Sequence, residues 1–398
     1  MASSFKLRHF SNPSILRNIN RTLLVAFLDP HRAFLAQRGF DLVNSDEFDY
    51  DALVAILMSP DEDTPDTLLD ALFFVDEMSL PDCHEDLLTE AYAEDIDLPE
   101  SDGITTADLA VRLWLTDSNI LERMHAERFL VKPKSFQYFL STFTRLPDLH
   151  HPAEAVLQAL QEELNDWFET KKRGRGTRVF PFAREDGFWF LVRHGEPYKR
   201  EGTLENGESS SVYYRPEKFD VLMYNPQIGE LAIHAGTKGE KQAYCRSFGK
   251  HLFGSDAFFD IESVEGKFTL EPIIADWRNC VACEDVEGLD EVRLTELQFR
   301  HNAMQYHVEV HKADDVFAAM DDIERAVPAG ATLLRASFKV KFTGALRPRT
   351  VVIRPPNVTI FDRESDSDLL NRWMTERGFI RLEASEDDAE PDAVLAVS

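Results

Sequence analysis

Apolar residues recur at helical spacing through residues 1–170 and at strand spacing after them. Asn12-Pro13 reads as an N-cap followed by proline at the first helical position. Ile15, Leu16, Ile19, Leu23, Leu24 and Phe27 then fall on one helical stripe. Thr64-Pro65 repeats the device ahead of Leu68, Leu69, Leu72, Phe73 and Phe74, and Gly39 closes a helix over 30–38. Thr105 or Thr106 caps a helix through Leu115, and His151-Pro152 opens a long one through Leu157, Leu160, Leu164 and Phe168. Within eight residues, Lys171 to Arg178, glycine and charge replace this periodicity. Short aromatic and β-branched runs follow at 179–182, 188–192, 211–214, 219–224 and 230–234, separated by turn residues. Lys238 to Phe253 reads as an amphipathic helix ended by Gly254, with further strands near 268–270 and across 292–310. The last third predicts a helix over 315–326, a hairpin from 331–342 and 350–353, a helix over 365–377 and a final short strand.

The fold class expected is α+β, with a helical N-terminal domain, a β-rich central domain and a small α/β C-terminal domain. The boundaries are an acidic all-helical domain (1–170), a basic glycine-containing linker (171–178), a β-rich domain with one amphipathic helix (179–312) and a small α/β domain (313–382). An acidic tail (383–398), expected to be disordered, follows.

Charge sharpens this division. The chain carries −28 overall, yet residues 1–170 sum to −20, residues 171–250 to +5 and residues 251–398 to −13. A field of that sign disfavours indiscriminate nucleic-acid binding and leaves the acidic domain to a protein partner or to solvation. No apolar run is long enough to span a membrane, and the N-terminus lacks the pattern of a secretory leader. Four cysteines in 398 residues make no disulfide framework, so reduced thiols and a cytoplasmic location are expected. Oligomeric state stays open.

Several segments carry candidate chemistry. Lys171, Lys172, Arg173, Arg175 and Arg178 form a basic island whose glycines would let it follow a phosphate backbone. Lys339, Lys341, Arg347, Arg349 and Arg354 form a second basic set, and Lys339 and Lys341 share a strand face. That hairpin beside the 365–377 helix resembles a winged helix, although the usual second helix is not evident. Leu191-Val192-Arg193-His194-Gly195-Glu196 resembles the first motif of the histidine phosphatase superfamily, in which a strand ends in Arg-His-Gly. The resemblance implies that His194 attacks phosphorus with Arg193 stabilising charge. It covers about six residues of 398, and none of His234, His251, His301, His307 and His311 has the flanking glycine of the family's second motif. The alternative preferred is a hydrophobic strand, 188–192, running into a charged turn. Asp220 and Glu230 bracket a hairpin as the acids of a restriction-endonuclease-like nuclease do, but Ala232 stands where that pattern wants lysine.

Cys280-Val-Ala-Cys283 is a single CxxC without a second pair, although His307, Glu309 and His311 alternate on one strand face. No metal or cofactor is expected. The function expected is a non-enzymatic adaptor or accessory subunit of a multi-protein system, of the kind found in bacterial antiviral defence. It would hold a protein partner through the acidic domain and nucleic acid through the basic regions. A phosphoryl-transfer or phosphodiester hydrolase using His194, or Asp220 and Glu230, is the alternative.

Overall fold

The computed structural model describes residues 7–42, 48–61, 63–98, 103–143, 145–147, 149–184, 187–205, 207–262, 266–302, 304–363 and 367–381. The tail expected over 383–398 lies outside the described residues. The chain forms two compact units, Met1–Arg128 and Phe129–Ser398.

The first unit is helical: α1 (Pro13–Leu16), α2 (Arg21–Leu28), α3 (Arg32–Gln37), α4 (Tyr50–Leu57), α5 (Asp66–Met78), α6 (His84–Ala93), α7 (Thr106–Thr116) and α8 (Ser118–Glu127). Short polar side chains start most of them. Asn12, Asn20, Asp49, Thr105 and Asp117 each accept a backbone N–H of the first turn, and Thr105 with Asp108 completes a capping box. The amphipathic α7 packs against α2, α5, α6 and α8, and its Leu109, Ala110, Val111 and Leu113 are fully buried. Asp108 also accepts the Asn20 backbone N–H at 2.7 Å, tying the start of α7 to that of α2.

The second unit is built on a ten-stranded, wholly antiparallel sheet in the order β2-β3-β6-β7-β1-β12-β11-β10-β8-β9. The strands are β1 (Ser135–Leu140), β2 (Arg178–Arg184), β3 (Gly187–Gly195), β6 (Glu217–Asn225), β7 (Glu230–His234), β8 (Leu289–Arg300), β9 (Val308–Lys312), β10 (Thr332–Phe342), β11 (Arg349–Arg354) and β12 (Val358–Ile360). A separate hairpin pairs β4 (Lys199–Glu205) with β5 (Glu208–Tyr214). Five helices accompany the sheet: α9 (Glu154–Thr170), α10 (Lys238–Phe253), α11 (Glu271–Ala275), α12 (Val316–Asp322) and α13 (Ser367–Glu376).

This layout differs from the sequence expectation in two respects. Residues 129–170, expected in a helical domain, supply β1 and α9 to the second unit, and β1 pairs with both β7 and β12. The regions expected as separate central and C-terminal domains share one sheet, because β1 bridges β7 and β12. The hairpin β10–β11 and helix α13 therefore belong to that sheet unit rather than to a free-standing winged helix.

Helices cover opposite faces in the two halves of the sheet. Phe139, Phe190, Val192, Leu222, Leu231 and Ile233 point one way, into a core shared with Leu160, Leu164 and Phe168 of α9 and Tyr244 and Phe248 of α10. In the other half, Phe338 points to the opposite face and meets Trp373 of α13 and Phe379. On the first face of that half, Val352 and Ser337 are buried while Lys339, Thr350 and Arg354 are exposed.

Candidate functional site

The first candidate lies at one end of the α9–α10 core. Alternation along β3 and β6 puts His194, Lys218 and Asp220 on the same face as Val192 and Leu222. Here the apolar core ends and charge is buried. His194 Nε2 lies 3.0 Å from Asp220 Oδ2, and the Tyr244 hydroxyl donates to that same oxygen at 2.8 Å. His194 Nδ1 lies 2.9 Å from the Gly195 carbonyl, and the ring stacks on Phe168 at 4.1 Å. Neither the His194 nor the Asp220 side chain has any solvent exposure.

Lys218 Nζ sits between two carboxylates, 3.0 Å from Asp220 Oδ1 and 3.1 Å from Glu240 Oε1. The contact to Asp220 is an ion pair without hydrogen-bond alignment, the contact to Glu240 a true hydrogen bond. Arg173 also donates to Glu240, whose second oxygen accepts the Thr237 backbone N–H in the capping box that starts α10. Burial alone would raise the Glu240 carboxyl, but Lys218, Arg173 and that N–H outweigh it and hold its pKa at about 2. The same pairing raises Lys218 against the effect of its own burial. The Tyr244 hydroxyl is pushed well up by burial and by Asp220.

The donor atoms of His194, Asp220 and Glu240 lie within 4.8 Å of one another, a spacing compatible with a metal ion. The Lys218 ammonium already bridges the two carboxylates, and Arg173 adds a second cation. A divalent ion would stand beside two fixed positive charges. The set is a closed, charge-balanced network. Its histidine offers no ring nitrogen to a substrate, so it does not provide what a phosphohistidine mechanism requires. Arg193, one residue away, points to the opposite face and pairs with Glu217.

Asp220 and Glu230 are not brought together. Leu231 shares the core face with Leu222 and Asp220, so its neighbour Glu230 faces the other side. There Glu230 pairs with Lys267 at 2.7 Å, and burial raises its pKa despite that partner. The nuclease arrangement of these two acids is thereby ruled out. His301 and His311 each bond a different oxygen of Glu309, and Arg325 bonds it too. His307 stacks on His301. Cys280 and Cys283 are both buried with raised thiol pKa values, burial being the main cause.

The basic island is a docked turn rather than a free linker. The Asn165 side chain of α9 accepts the backbone N–H groups of Gly176 and Thr177 at 2.9 and 2.8 Å, and Gln161 accepts that of Val179. Arg175 reaches back along α9 to Glu162, Asp166 and Glu169, which follow one another at helical spacing and raise its pKa. Arg173 is consumed by Glu240. Lys171 and Arg178 lie over the rings of Trp167 and Phe180, and the Lys172 carbonyl accepts from Arg215.

Lys339, Lys341 and Arg354 of the second basic set lie on the first face of the sheet, and Arg349 on the other. Cross-strand registers align Gln137, Val358, Arg354, Arg335 and Gln298 in one row, and Ser135, Ile360, Val352, Ser337, Glu296 and Lys312 in the next. Lys339 and Lys341 continue the face beside Arg293 and Glu291. Lys339 and Arg354 are exposed, and Lys339 contacts Thr350 on the same face. Lys341 donates to the Ala345 carbonyl, Arg349 lies over Phe342, and Arg347 is exposed in the connecting turn. Glu296 binds both Lys312 and Arg335, whereas Arg354 has no acidic partner among the described residues. Although its side chain reaches solvent, desolvation by its neighbours and the charge of Arg335 lower the Arg354 pKa, against the pull of Glu296. Arg335 escaped the sequence reading, although Arg335, Lys339 and Lys341 recur at even spacing along one strand. Lys218 and Glu240 escaped it too, although Thr237-Lys-Gly-Glu240 is a capping-box sequence.

No helix is long and apolar enough to cross a membrane among the described residues. Compared with known proteins, the chain matches no family model and no curated sequence.

Proposed function

We propose that this protein is a non-enzymatic adaptor that holds a nucleic-acid backbone on the basic face of its large sheet. The acidic helical unit would hold a protein partner. The observation that carries the reading is the pair Arg335 and Arg354, neighbours in one cross-strand row, of which Arg335 is bound by Glu296 from the β8 side and Arg354 by no acid among the described residues. Like charges placed directly across a strand pair destabilise a sheet. A phosphate bridging the two guanidinium groups would remove that cost, and arginine forks suit it. On the same face, Lys339 and Lys312 extend the cationic surface, while Val352, Val358 and Ile360 offer no aromatic platform for bases. That favours backbone contact over base reading.

If Arg335, Arg354, Lys339 and Lys312 each meet a phosphate, log affinity should fall against log salt with a slope of roughly −3.6 on duplex DNA and about −2.8 on single strands. A salt series of fluorescence anisotropy measures it. Replacing Arg335 and Arg354 by Gln should flatten the duplex slope by about 1.8. Arg175→Gln should leave it unchanged, since that guanidinium already faces three acids. An unaltered slope in the double variant removes this face from the reading.

A further inference from the structure

The large sheet has two free edges, β2 and β9, and they are finished differently. β2 is blunted by Pro181 at its centre and by Arg178 and Arg184 at its ends, devices that stop a sheet from growing. β9, Val308–Lys312, has no proline.

The outward hydrogen-bonding groups of β9 can be assigned. The His301 N–H donates to the His307 carbonyl at 2.9 Å, and the Ala313 N–H donates to the Thr295 carbonyl at 3.2 Å. The ladder between β8 and β9 runs in unbroken register from one of these pairs to the other. Backbone groups of alternate residues point the same way in an antiparallel ladder, so 307, 309, 311 and 313 face β8. Val308, Val310 and Lys312 therefore direct their N–H and C=O groups away from the sheet. Those groups make no backbone hydrogen bond to another segment among the described residues. Val310 is 47% exposed, and Tyr306, just before the strand, is 73% exposed.

We propose that this edge pairs with the same edge of a second copy of the chain, about a two-fold axis through Val310. The register follows from the residues. A two-fold axis through any residue of the strand sets even positions against even ones and so joins the outward groups of both copies, and an axis through 310, the middle residue, uses the whole strand. It sets Val310 against Val310, Val308 against Lys312, and Glu309 against His311. Each carboxylate then faces an imidazole of the other copy, on the face where His311 already lies 2.7 Å from Glu309 within the chain. An axis through Glu309 would instead oppose two carboxylates, and one through His311 two imidazoles. The interface is isologous and closes as a dimer, leaving Pro181-guarded β2 as the outer edge on both sides.

The test needs no nucleic acid, so its result is independent of the proposed function. Sedimentation velocity across a concentration series should show a monomer–dimer equilibrium. Val310→Pro deletes only an outward N–H, leaves the β8–β9 ladder intact and should weaken dimerisation at least tenfold while far-ultraviolet circular dichroism is unchanged. A hydrogen-bonded antiparallel pair places Cα atoms about 5.5 Å apart, inside the range a disulfide spans. Val310→Cys should therefore form a covalent dimer under mild oxidation. The four native cysteines are buried and do not compete. Val212→Cys, equally exposed on the β4–β5 hairpin, should not cross-link. A monomer at all concentrations, a dimer that survives Val310→Pro, or a Val310→Cys chain that fails to cross-link would each overturn the proposal.

Discussion

Replacing Glu240 by Gln probes the buried charge network at the carboxylate that caps α10. The carboxylate is inaccessible to solvent and accepts from Lys218, Arg173 and the Thr237 N–H. Its pKa drops from an ordinary 4.5 to about 2 in the folded protein. At about 1.4 kcal/mol per pKa unit, ionised Glu240 contributes about 3 kcal/mol to folding at neutral pH. Because the folded pKa is the depressed one, this contribution is complete above about 4.5 and is lost as pH falls toward 2. The variant keeps the shape of the side chain but leaves Lys218 and Arg173 with one acid fewer, the situation in which a broken buried pair costs about 3–5 kcal/mol. Urea unfolding at pH 7 should therefore place Glu240→Gln about 3 kcal/mol below the wild type. The gap should narrow steadily from pH 4.5 downward as the wild-type carboxyl takes up its proton. Trp167, whose ring lies beside Gly239 in the first turn of α10, is a local reporter of the transition. A gap of the same size at pH 3 and pH 7, or one under 1 kcal/mol at neutral pH, would refute the assigned role of the ion pairs.

Two further outcomes follow from the same geometry. His194→Ala should cost about 2–4 kcal/mol of stability, from the lost stack on Phe168 and the lost partner of Asp220, and should leave nucleic-acid affinity unchanged. Phosphate release from an aryl phosphate that vanishes in this variant would restore the catalytic reading. Limited trypsin digestion should spare Arg173 and Arg175, whose side chains are engaged and whose turn is pinned by Asn165, and early cleavage there would show that the turn is not docked.

Local patterns were legible where the local rule decided the outcome. The Asn12 cap, the α10 helix from Lys238 to Phe253 and its stop at Gly254, with φ of 77°, follow from capping and periodicity alone. The uninterrupted apolar run 188–192 reads as a strand, and β3 is that strand, buried there on both faces. What the sequence hid is long-range. Ser135-Phe-Gln-Tyr-Phe-Leu140 alternates as a strand should, but it stands between helices and its partners lie about 95 and 220 residues away in β7 and β12. That one strand decides whether the chain has one sheet or two domains. The basic island misled for a related reason. Its cations were countable, but the acids that neutralise them sit on a helix face and in the first turn of α10, and only the fold brings them within 3 Å.

The charge map then takes a different form from the linear one. Five cations clustered in sequence are largely consumed by neighbours, while Arg335 and Arg354, 19 positions apart, meet in one cross-strand row. A net charge of −28 does not prevent such a face from meeting a polyanion. At physiological salt, charges beyond a Debye length of about 8 Å contribute little at the contact itself. The acidic background instead acts at longer range, slowing encounters that approach from other directions. A surface of this kind gains selectivity from its surroundings. On the proposed reading it would bind where a phosphate chain is presented to the sheet and reject it elsewhere, which suits an adaptor better than a general nucleic-acid coat.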